Sequence, residues 1–470
     1  MAPGVESRTE TTGTDSLETG SHDLPVSSDL ESYLRSGWGD AESAEVRVLA
    51  PAELCAARRR RLSELLPGER LVIPAGRGAR RGNGQEVRYR AASDHVYHAG
   101  YEAEGAVLVL DGESATLYLE PPSGREGLGF YNDTARGELW VGPRPALDEV
   151  AAALGLDVRP LSAFDEVGAP ARVLRNGDPG VDAAFPTDDS FRDRELLAIL
   201  SELRLVKDEW EIAQIEAAVG ATVAGFEDVG RTLAETTDER SVETVFATRA
   251  RRDGNDVAFN PIAAGGAHAT TLHWTRNDSP LRRGELLLLD AGVESRSLYA
   301  ADLTRTYPVS GRFSEVQRRA LELLNDAQDA ALAAIGPGRP FRDFRHAIAA
   351  VMSEGLAELG ISTDGGPEDL YRRFTICGPG HMLGLDVHDC GHARAAAYLD
   401  GVLRPGHVLT VEPGLYFQTN DTTIPEELRG TGLRVEDDVV VTQDGIRNLS
   451  EGLPRRAAEI EEWLAVLATP

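Results

Sequence analysis

The sequence predicts a mixed α+β fold in two domains, and three features lead to this prediction. The chain has 470 residues, more than one compact core usually holds. Its first half carries short strand-like runs separated by glycine and polar turns. Its second half alternates long amphipathic helices with strands. We therefore expect a smaller α/β domain over residues 46–204 and a larger α+β domain over residues 205–470.

Residues 1–45 have a different composition from the rest of the chain. They are rich in Ser, Thr, Glu, Asp and Gly and lack apolar periodicity. Such a segment cannot bury enough apolar surface to offset the entropy lost on ordering. The sequence therefore predicts a mostly disordered, acidic extension before the first domain.

The first domain begins with a helical pattern in AELCAARRRRLSELL, residues 52–66. Short apolar runs rich in Val, Leu and Ile follow, and each is bounded by glycine or polar residues. The predicted strands are RLVIPA, GAVLVL, ATLYLE and ELWVG. Together they indicate one sheet with a helix packed against it.

The second domain contains two helices with clear sequence signals. In the first, apolar residues recur at spacings of three and four, which gives one apolar face. These residues are Ile212, Ile215, Val219, Val223 and Phe226. In the second, Ser314 and Gln317 can form a capping box, and the helix should end at Ile335 because glycine and proline follow.

Acidic residues stand in apolar strand patterns of this second domain, where an ionised carboxylate is costly unless it is paired or bound to a metal. Asp290 ends the strand ELLLLD, and we expect a hairpin to bring Asp302 opposite it. In GLRVEDDVVV, strand alternation places Arg434, Glu436 and Asp438 on one face. Because Asp290 and Asp302 would then be adjacent carboxylates, the sequence predicts a cation site at this hairpin.

His381 in GPGHMLGLDVHD and Glu412 in VLTVEPG complete a set of four carboxylates and one imidazole. This ligand set suits Mn, Co, Zn or Fe in a carboxylate-bridged pair. Two such ions activate water and polarise a carbonyl, so hydrolysis is the expected chemistry. Any one of these residues alone would more often be a turn former or a satisfied polar group. The metal hypothesis depends on all five together.

Composition narrows the functional class. The formal net charge of -29 argues against binding to nucleic acid or to an anionic membrane surface. No run of about 20 apolar residues and no signal-peptide layout is present. The three cysteines, Cys55, Cys377 and Cys390, lack the spacing of a metal finger or a disulfide framework. We expect a cytoplasmic protein that acts on a peptide or another small molecule.

Several segments resemble those of the M24 peptidase family, and specifically its branch of aminopeptidase P (Xaa-Pro aminopeptidase) and prolidase. They occur in the order found in that family. The segments are LHWTRND, LLLLDAG, ADLTRTYPV, HMLGLDVHD, LTVEPGLYF and GTGLRVEDDVVVT. YRAASDHVYHAGY and ELWVG in the first domain resemble the family more weakly.

The resemblance implies a pita-bread (creatinase/aminopeptidase) catalytic domain preceded by a smaller α/β domain of the creatinase type. It implies two divalent metal ions, most often Mn(II), with Co, Zn and Fe as alternatives, and a homodimer or homotetramer. The implied ligands are Asp290, Asp302, His381, Glu412 and Glu436.

The resemblance also assigns roles around the metals. Glu412 would double as a proton shuttle, and Arg434 would orient a ligand. His273 and His388 would contact the substrate or the tetrahedral intermediate. Trp140 would form a pocket wall, although a core aromatic on a strand explains it equally well.

Cys377 departs from the family, which commonly has histidine four residues before the ligand histidine. A thiol and an imidazole differ in hydrogen-bonding capacity. Cys377 is therefore either a small buried side chain or a sign of a changed substrate site.

Three functions remain open at this point. The first is an Xaa-Pro aminopeptidase, which removes the residue before a proline in second position. The second is a prolidase that acts on Xaa-Pro dipeptides. The third is a diverged enzyme that uses the same metals oxidatively on a small metabolite.

Overall fold

The computed structural model describes most of the chain in two compact units. One unit is Met1–Val46 with Pro121–Ala146, and the other is Arg47–Glu120 with Leu147–Pro470. The described residues are 27–39, 44–82, 85–125, 127–168, 170–186, 190–362, 367, 369–376 and 378–469. Most of the predicted extension, and Cys377, lie outside these residues.

Helices occur in both units. Within the described residues, no helix is long and apolar enough to cross a membrane. The helices are α1 Ser28–Leu34, α2 Ala52–Leu65, α3 Ser93–Ala99, α4 Gly129–Asn132, α5 Glu138–Val141, α6 Leu147–Leu154, α7 Pro179–Ala184, α8 Ser190–Leu203, α9 Glu209–Thr232, α10 Glu239–Asp253, α11 Glu315–Ala334, α12 Asp343–Gly355 and α13 Ala457–Leu467.

The strands are short and belong to several small sheets. They are β1 Arg70–Pro74, β2 Arg80–Gly82, β3 Gln85–Glu86, β4 Val107–Asp111, β5 Ser114–Leu119, β6 Asp157–Pro160, β7 Arg172–Val173, β8 Asp256–Val257, β9 Ile262–Gly265, β10 Leu286–Ala291, β11 Val293–Glu294, β12 Leu303–Pro308, β13 Val408–Val411, β14 Gly414–Phe417, β15 Thr431–Arg434, β16 Asp437–Val441 and β17 Ile446–Asn448.

The first unit contains α1, α4 and α5. The Tyr131 hydroxyl donates a hydrogen bond to the Leu34 carbonyl at 2.7 Å. Helix α1 lies in the predicted extension, whose other residues are mostly not described. The run ELWVG was predicted as a strand, and this prediction is wrong because α5 covers it. Leu139, Trp140 and Val141 are each more than half exposed. They therefore lack the buried neighbours that favour a strand.

A five-stranded sheet in the second unit has the order β6-β5-β4-β1-β7. The predicted strands β1, β4 and β5 lie at its centre in antiparallel pairs, and the predicted helix α2 is also present. Alternate residues of these strands, such as Val72, Val109 and Tyr118, pack with Phe164 and Phe185 in one apolar core.

The predicted helices α9 and α11 are confirmed. On α9, Ile215, Val219 and Phe226 are buried, while Ile212 and Val223 at the edge of the apolar face are partly buried. Helix α11 has the predicted capping box, in which the Ser314 and Gln317 side chains each accept from the other's backbone N–H. It ends at Ala334, one residue before the predicted end.

Two details of the acidic strands differ from the prediction. Antiparallel pairing of β10 with β12 places Asp290 opposite Thr304, so Asp302 lies two residues further along the same face. The run 432–442 is two strands rather than one, because β15 pairs with β14 and β16 pairs with β13. Glu436 lies at the break and forms an isolated bridge with Thr304.

Candidate active site

The strand ends of the second unit bring the predicted ligands to one cavity of about 790 Å³. Asp290 lies on β10 and Asp302 just before β12. Glu412 follows β13, and Glu436 lies between β15 and β16. His381 comes from a segment whose next residue bridges to β13. All five side chains line the cavity, so the structure brings together the full predicted set.

His381 occupies the middle of this group. Its Nε2 lies 3.4 Å from Asp302 Oδ2 and 3.5 Å from Glu412 Oε1. Its Nδ1 lies 3.1 Å from the Met382 carbonyl, to which the Nδ1–H can donate. That bond leaves Nε2 as the ring nitrogen that faces the carboxylates, as in many histidine ligands of metals. One ligand atom from each of Asp302, His381 and Glu436 lies within 4.8 Å of the others.

Arg434 is buried against the acidic residues and holds several of them. Its Nη2 donates to Asp290 Oδ2, its Nη1 to the Tyr416 hydroxyl at 2.6 Å, and its Nε to Thr304 Oγ1 at 3.1 Å. The Thr304 hydroxyl in turn donates to Glu436 Oε2 at 2.7 Å. The arginine therefore orients Asp290 directly and Glu436 through Thr304.

Asp438 is a further buried carboxylate beside this set. Its Oδ2 accepts from the Asp302 backbone N–H at 3.0 Å. We call Asp290, Asp302, Glu412, Glu436 and Asp438 the acid cluster. Burial raises the pKa of Asp290 to about 7 even though Arg434 counteracts it. Burial and neighbouring carboxylates also raise the pKa values of Glu412, Glu436 and Asp438.

The acid cluster fits divalent cations. Among the described residues, Arg434 is the one arginine that forms an ion pair with any of its five carboxylates. The Asp290 Oδ1 and Asp438 Oδ1 atoms are buried and hydrogen-bond to none of the described residues. Burial alone would lower the pKa of His381, but Asp302 and Glu412 raise it to about 9, so a proton there offsets part of the negative charge. A cation bound by these oxygens would compensate the same charge.

His273 and His388 line the same cavity, and both are exposed. The His388 ring lies 4.4 Å from the His381 ring, edge to face. Partial burial of the His388 ring and the charge of the nearby His381 lower the pKa of His388. Both histidines are therefore placed where a substrate in the cavity would contact them.

Two predicted substrate residues are not part of the described cavity lining. Trp140 lies on α5 in the first unit and is 52% exposed. Its indole N–H donates to the Tyr131 carbonyl at 2.6 Å. It is thus neither on a strand nor in a core, and its role as a pocket wall stays a prediction. The role of Cys377 also stays a prediction, since that residue is not described.

Sequence reasoning missed several residues that shape the site. Thr304 links Arg434 to Glu436, and Asp438 holds the Asp302 backbone. Strand alternation places Asp438 on the face of Glu436 and Thr304 on the face of Asp302, but it did not reveal what either residue contacts. Arg345 on α12 also lines the cavity, and no sequence signal indicated it.

A second group of charged residues holds the segment on both sides of His388. Lys207 Nζ lies 2.9 Å from Asp389 Oδ2, and Arg204 Nη1 lies 3.1 Å from Asp389 Oδ1. Arg204 also pairs with Asp94 at 3.3 Å and with Asp386 at 2.9 Å. We call Arg204, Lys207, Asp94, Asp386 and Asp389 the ion network. It fixes the segment that carries His388.

Comparison with known proteins places the chain in a class of enzymes. Metallopeptidase family M24 matches residues 213–443, and the aminopeptidase P N-terminal domain matches residues 55–172. The chain belongs to metallopeptidase family M24 and has the pita-bread catalytic domain of that family. Both matches lie inside the predicted domains, whose boundary between residues 204 and 205 stays a prediction.

Within that family the chain is similar to aminopeptidases of the P type. It is 51% identical to Xaa-Pro aminopeptidase 1 of Streptomyces coelicolor, over 94% of this chain and 93% of that protein. It is 31% identical to the Xaa-Pro aminopeptidase of Escherichia coli, over 86% of this chain and 96% of that protein. The structure of Pseudomonas aeruginosa aminopeptidase PepP superimposes on this chain with a TM-score of 0.79 at 28% identity. The match covers 90% of this chain and 100% of that structure. The chain is therefore a metalloaminopeptidase that uses divalent metal.

Proposed function

We propose that this enzyme removes the N-terminal residue from peptides whose second residue is proline. The observation that carries the proposal is the acid cluster with His381 at the wall of a cavity large enough for a short peptide. Relatives named Xaa-Pro aminopeptidase match the chain over nearly its whole length. The coincidence of this site with these relatives favours proline-specific hydrolysis over any other reaction of the fold.

The proposed ligands of two divalent cations are Asp290, Asp302, His381, Glu412 and Glu436. Bound cations would polarise the scissile carbonyl and acidify the attacking water. Mn(II) is the first metal to test, because four of the five ligands are carboxylates, and Co, Zn and Fe are the alternatives. Arg434 would keep Asp290 ionised and correctly oriented.

The remaining steps belong to side chains of the cavity. Glu412 would accept the proton of the attacking water and transfer it to the leaving nitrogen of proline. His273 and His388 would donate hydrogen bonds to the substrate carbonyl as negative charge develops on its oxygen. Both rings are exposed in the cavity, so they can reach a bound peptide.

A peptide assay tests the proposal. Protein purified without chelator and supplied with Mn²⁺ should release the first residue of an Xaa-Pro-Xaa tripeptide. It should release little from the matched tripeptide with alanine in second position. Equal cleavage of both peptides, or of neither, would contradict the proposal. Cleavage of Xaa-Pro dipeptides alone would favour prolidase instead.

Other properties stay predictions. A homodimer or homotetramer is expected, and light scattering of the metal-loaded protein measures it. A cytoplasmic location and the contribution of Trp140 to substrate binding are likewise untested. Replacing Trp140 by alanine should raise KM for peptides if that side chain forms a pocket wall.

A further inference from the structure

Arg345 is a cation in the substrate cavity, and it differs from Arg434 in its partners. It lies on α12, is partly buried, and lines the same cavity as His381, Glu412 and Arg434. Arg434, the other arginine of the cavity lining, pairs with Asp290. Arg345 forms no ion pair with any carboxylate in the described part of the chain, and its one hydrogen bond there goes to a backbone carbonyl.

The surrounding residues hold the Arg345 side chain in one position. Its Nη2 donates to the Gly380 carbonyl at 2.9 Å. Its guanidinium carbon lies 5.1 Å from the centre of the Phe341 ring. Gly378 leaves the space that the guanidinium fills, since a Cβ at that position would lie 3.1 Å from Nη2 and 3.3 Å from Cζ. The guanidinium is therefore fixed before any substrate binds.

Arg345 uses little of its hydrogen-bonding capacity on the described residues. A guanidinium has five N–H donors, and the bond to Gly380 uses one of them. Its Nε is buried and has no hydrogen-bond partner among the described residues. Burial also lowers the pKa of Arg345, and Tyr398 and Glu412 offset this only in part. An anionic group bound beside Arg345 would supply both the missing charge and the missing acceptors.

We propose that Arg345 binds a carboxylate of a short peptide substrate, on the C-terminal side of the scissile bond. The fork of N–H donors in arginine matches the two oxygens of a carboxylate. The carboxylate comes either from the C-terminus of the peptide or from an acidic side chain after proline. This inference rests on the proposed peptidase function, and it makes Arg345 a specificity residue for anionic short peptides.

Three tripeptide substrates and two substitutions test the inference. The substrates are an Xaa-Pro-Ala free acid, its C-terminal amide, and the amide with glutamate in third position. Wild-type enzyme should have kcat/KM at least about tenfold higher for the acid than for the amide, through a lower KM. R345Q should lose this preference, with a larger fall in kcat/KM on the acid than on the amide. R345K should keep part of it.

The matched control is R342Q. Arg342 precedes α12, is exposed, and pairs with Asp400. R342Q should leave the ratio of acid to amide unchanged. A preference for the glutamate amide that R345Q also removes would show that a side chain supplies the carboxylate.

Other outcomes overturn the inference. An equal loss on acid and amide in R345Q would make Arg345 a support for Gly380 rather than a substrate contact. An unchanged preference in R345Q would remove Arg345 from recognition while the peptidase function stands. If wild type cleaves none of the three peptides, the proposed function fails, and this inference fails with it.

Discussion

The acid cluster and the ion network both contain buried carboxylates, but in the ion network every carboxylate pairs with Arg204 or Lys207. Both groups contact the segment 381–390. His381 at the start of this segment contacts the acid cluster, and Asp389 near its end belongs to the ion network. Asp389 is 1% exposed and contacts both Lys207 and Arg204. Glu436 is equally buried, at 2%, yet it faces other carboxylates.

The pKa values of these two acids move in opposite directions. Burial would raise the pKa of Asp389, but Arg204 and Lys207 lower it below its usual value. Burial raises the pKa of Glu436, and Asp302 and Glu412 raise it further. Paired charges can remain buried as part of the structure, whereas unpaired acids need a bound cation. The imbalance therefore distinguishes the functional site from the structural network.

Removing a central carboxylate of the acid cluster should have the largest effect. We expect Asp302→Ala to lose at least one metal ion per chain and to reduce turnover on the order of a thousandfold or more. Metal analysis and the tripeptide assay measure this. The control is Asp400→Ala, an exposed acid that pairs with Arg342. Wild-type metal content and rate in Asp302→Ala would remove Asp302 from the ligand set.

The same kind of change in the ion network should affect stability instead. Asp389→Ala leaves Lys207 and Arg204 buried without their shared partner, which should cost about 3–5 kcal/mol of unfolding free energy. Urea unfolding of the metal-free protein measures it. Asp302→Ala is the matched control and should cost less than about 1 kcal/mol there, because it also relieves repulsion with the other carboxylates of the acid cluster. Similar losses in both variants would erase the distinction between the two clusters.

Metal binding should stabilise the folded protein through the acid cluster alone. At a free Mn²⁺ concentration of 100 times Kd, the unfolding free energy should rise by about 2.7 kcal/mol per bound site. We expect this gain in wild type and in Asp389→Ala, and a smaller gain in Asp302→Ala. Urea unfolding with and without Mn²⁺ measures it. A full gain in Asp302→Ala would place the metal elsewhere.

A third kind of buried group, the neutral histidine, should make the stability of the protein depend on pH. Burial lowers the pKa of His98 to about 3 and that of His95 to about 4. The unfolded chain takes up protons at these residues below about pH 6.5, whereas the folded chain does not. The contribution of these two histidines to the unfolding free energy should therefore fall as the pH falls from about 6.5 to 4, by about 1.4 kcal/mol per pH unit for each histidine.

The variant His98→Gln tests this pH dependence. It should reduce the slope of unfolding free energy against pH by about 1.4 kcal/mol per pH unit, which is the contribution of one histidine. Urea unfolding at pH 4.5, 5.5 and 6.5 measures this slope. A slope equal to that of wild type would mean that His98 is protonated in the folded state.

The sequence predicted the ligands well because their positions follow local rules. Strand alternation placed Arg434, Glu436 and Asp438 on one face, and this holds across the break between β15 and β16. The register of Asp302 was wrong because β11 pairs with β8 inside the connection. The connection is therefore no simple turn, and local alternation cannot reveal such a pairing.

Tertiary packing determined the features that the sequence could not predict. ELWVG has strand-like composition, but its apolar side chains are exposed on α5. Arg345 resembles any other arginine of an amphipathic helix. Only the approach of residues 378–380 to α12 places it in the cavity. Contacts between distant segments are not encoded in a local pattern.

Anomalous X-ray diffraction from crystals loaded with Mn²⁺ tests whether the five proposed ligands hold two metal ions. We expect two anomalous peaks per chain, roughly 3.5–4 Å apart, in the cavity lined by Asp290, Asp302, His381, Glu412 and Glu436. A single peak, or peaks outside these five side chains, would contradict the two-metal site.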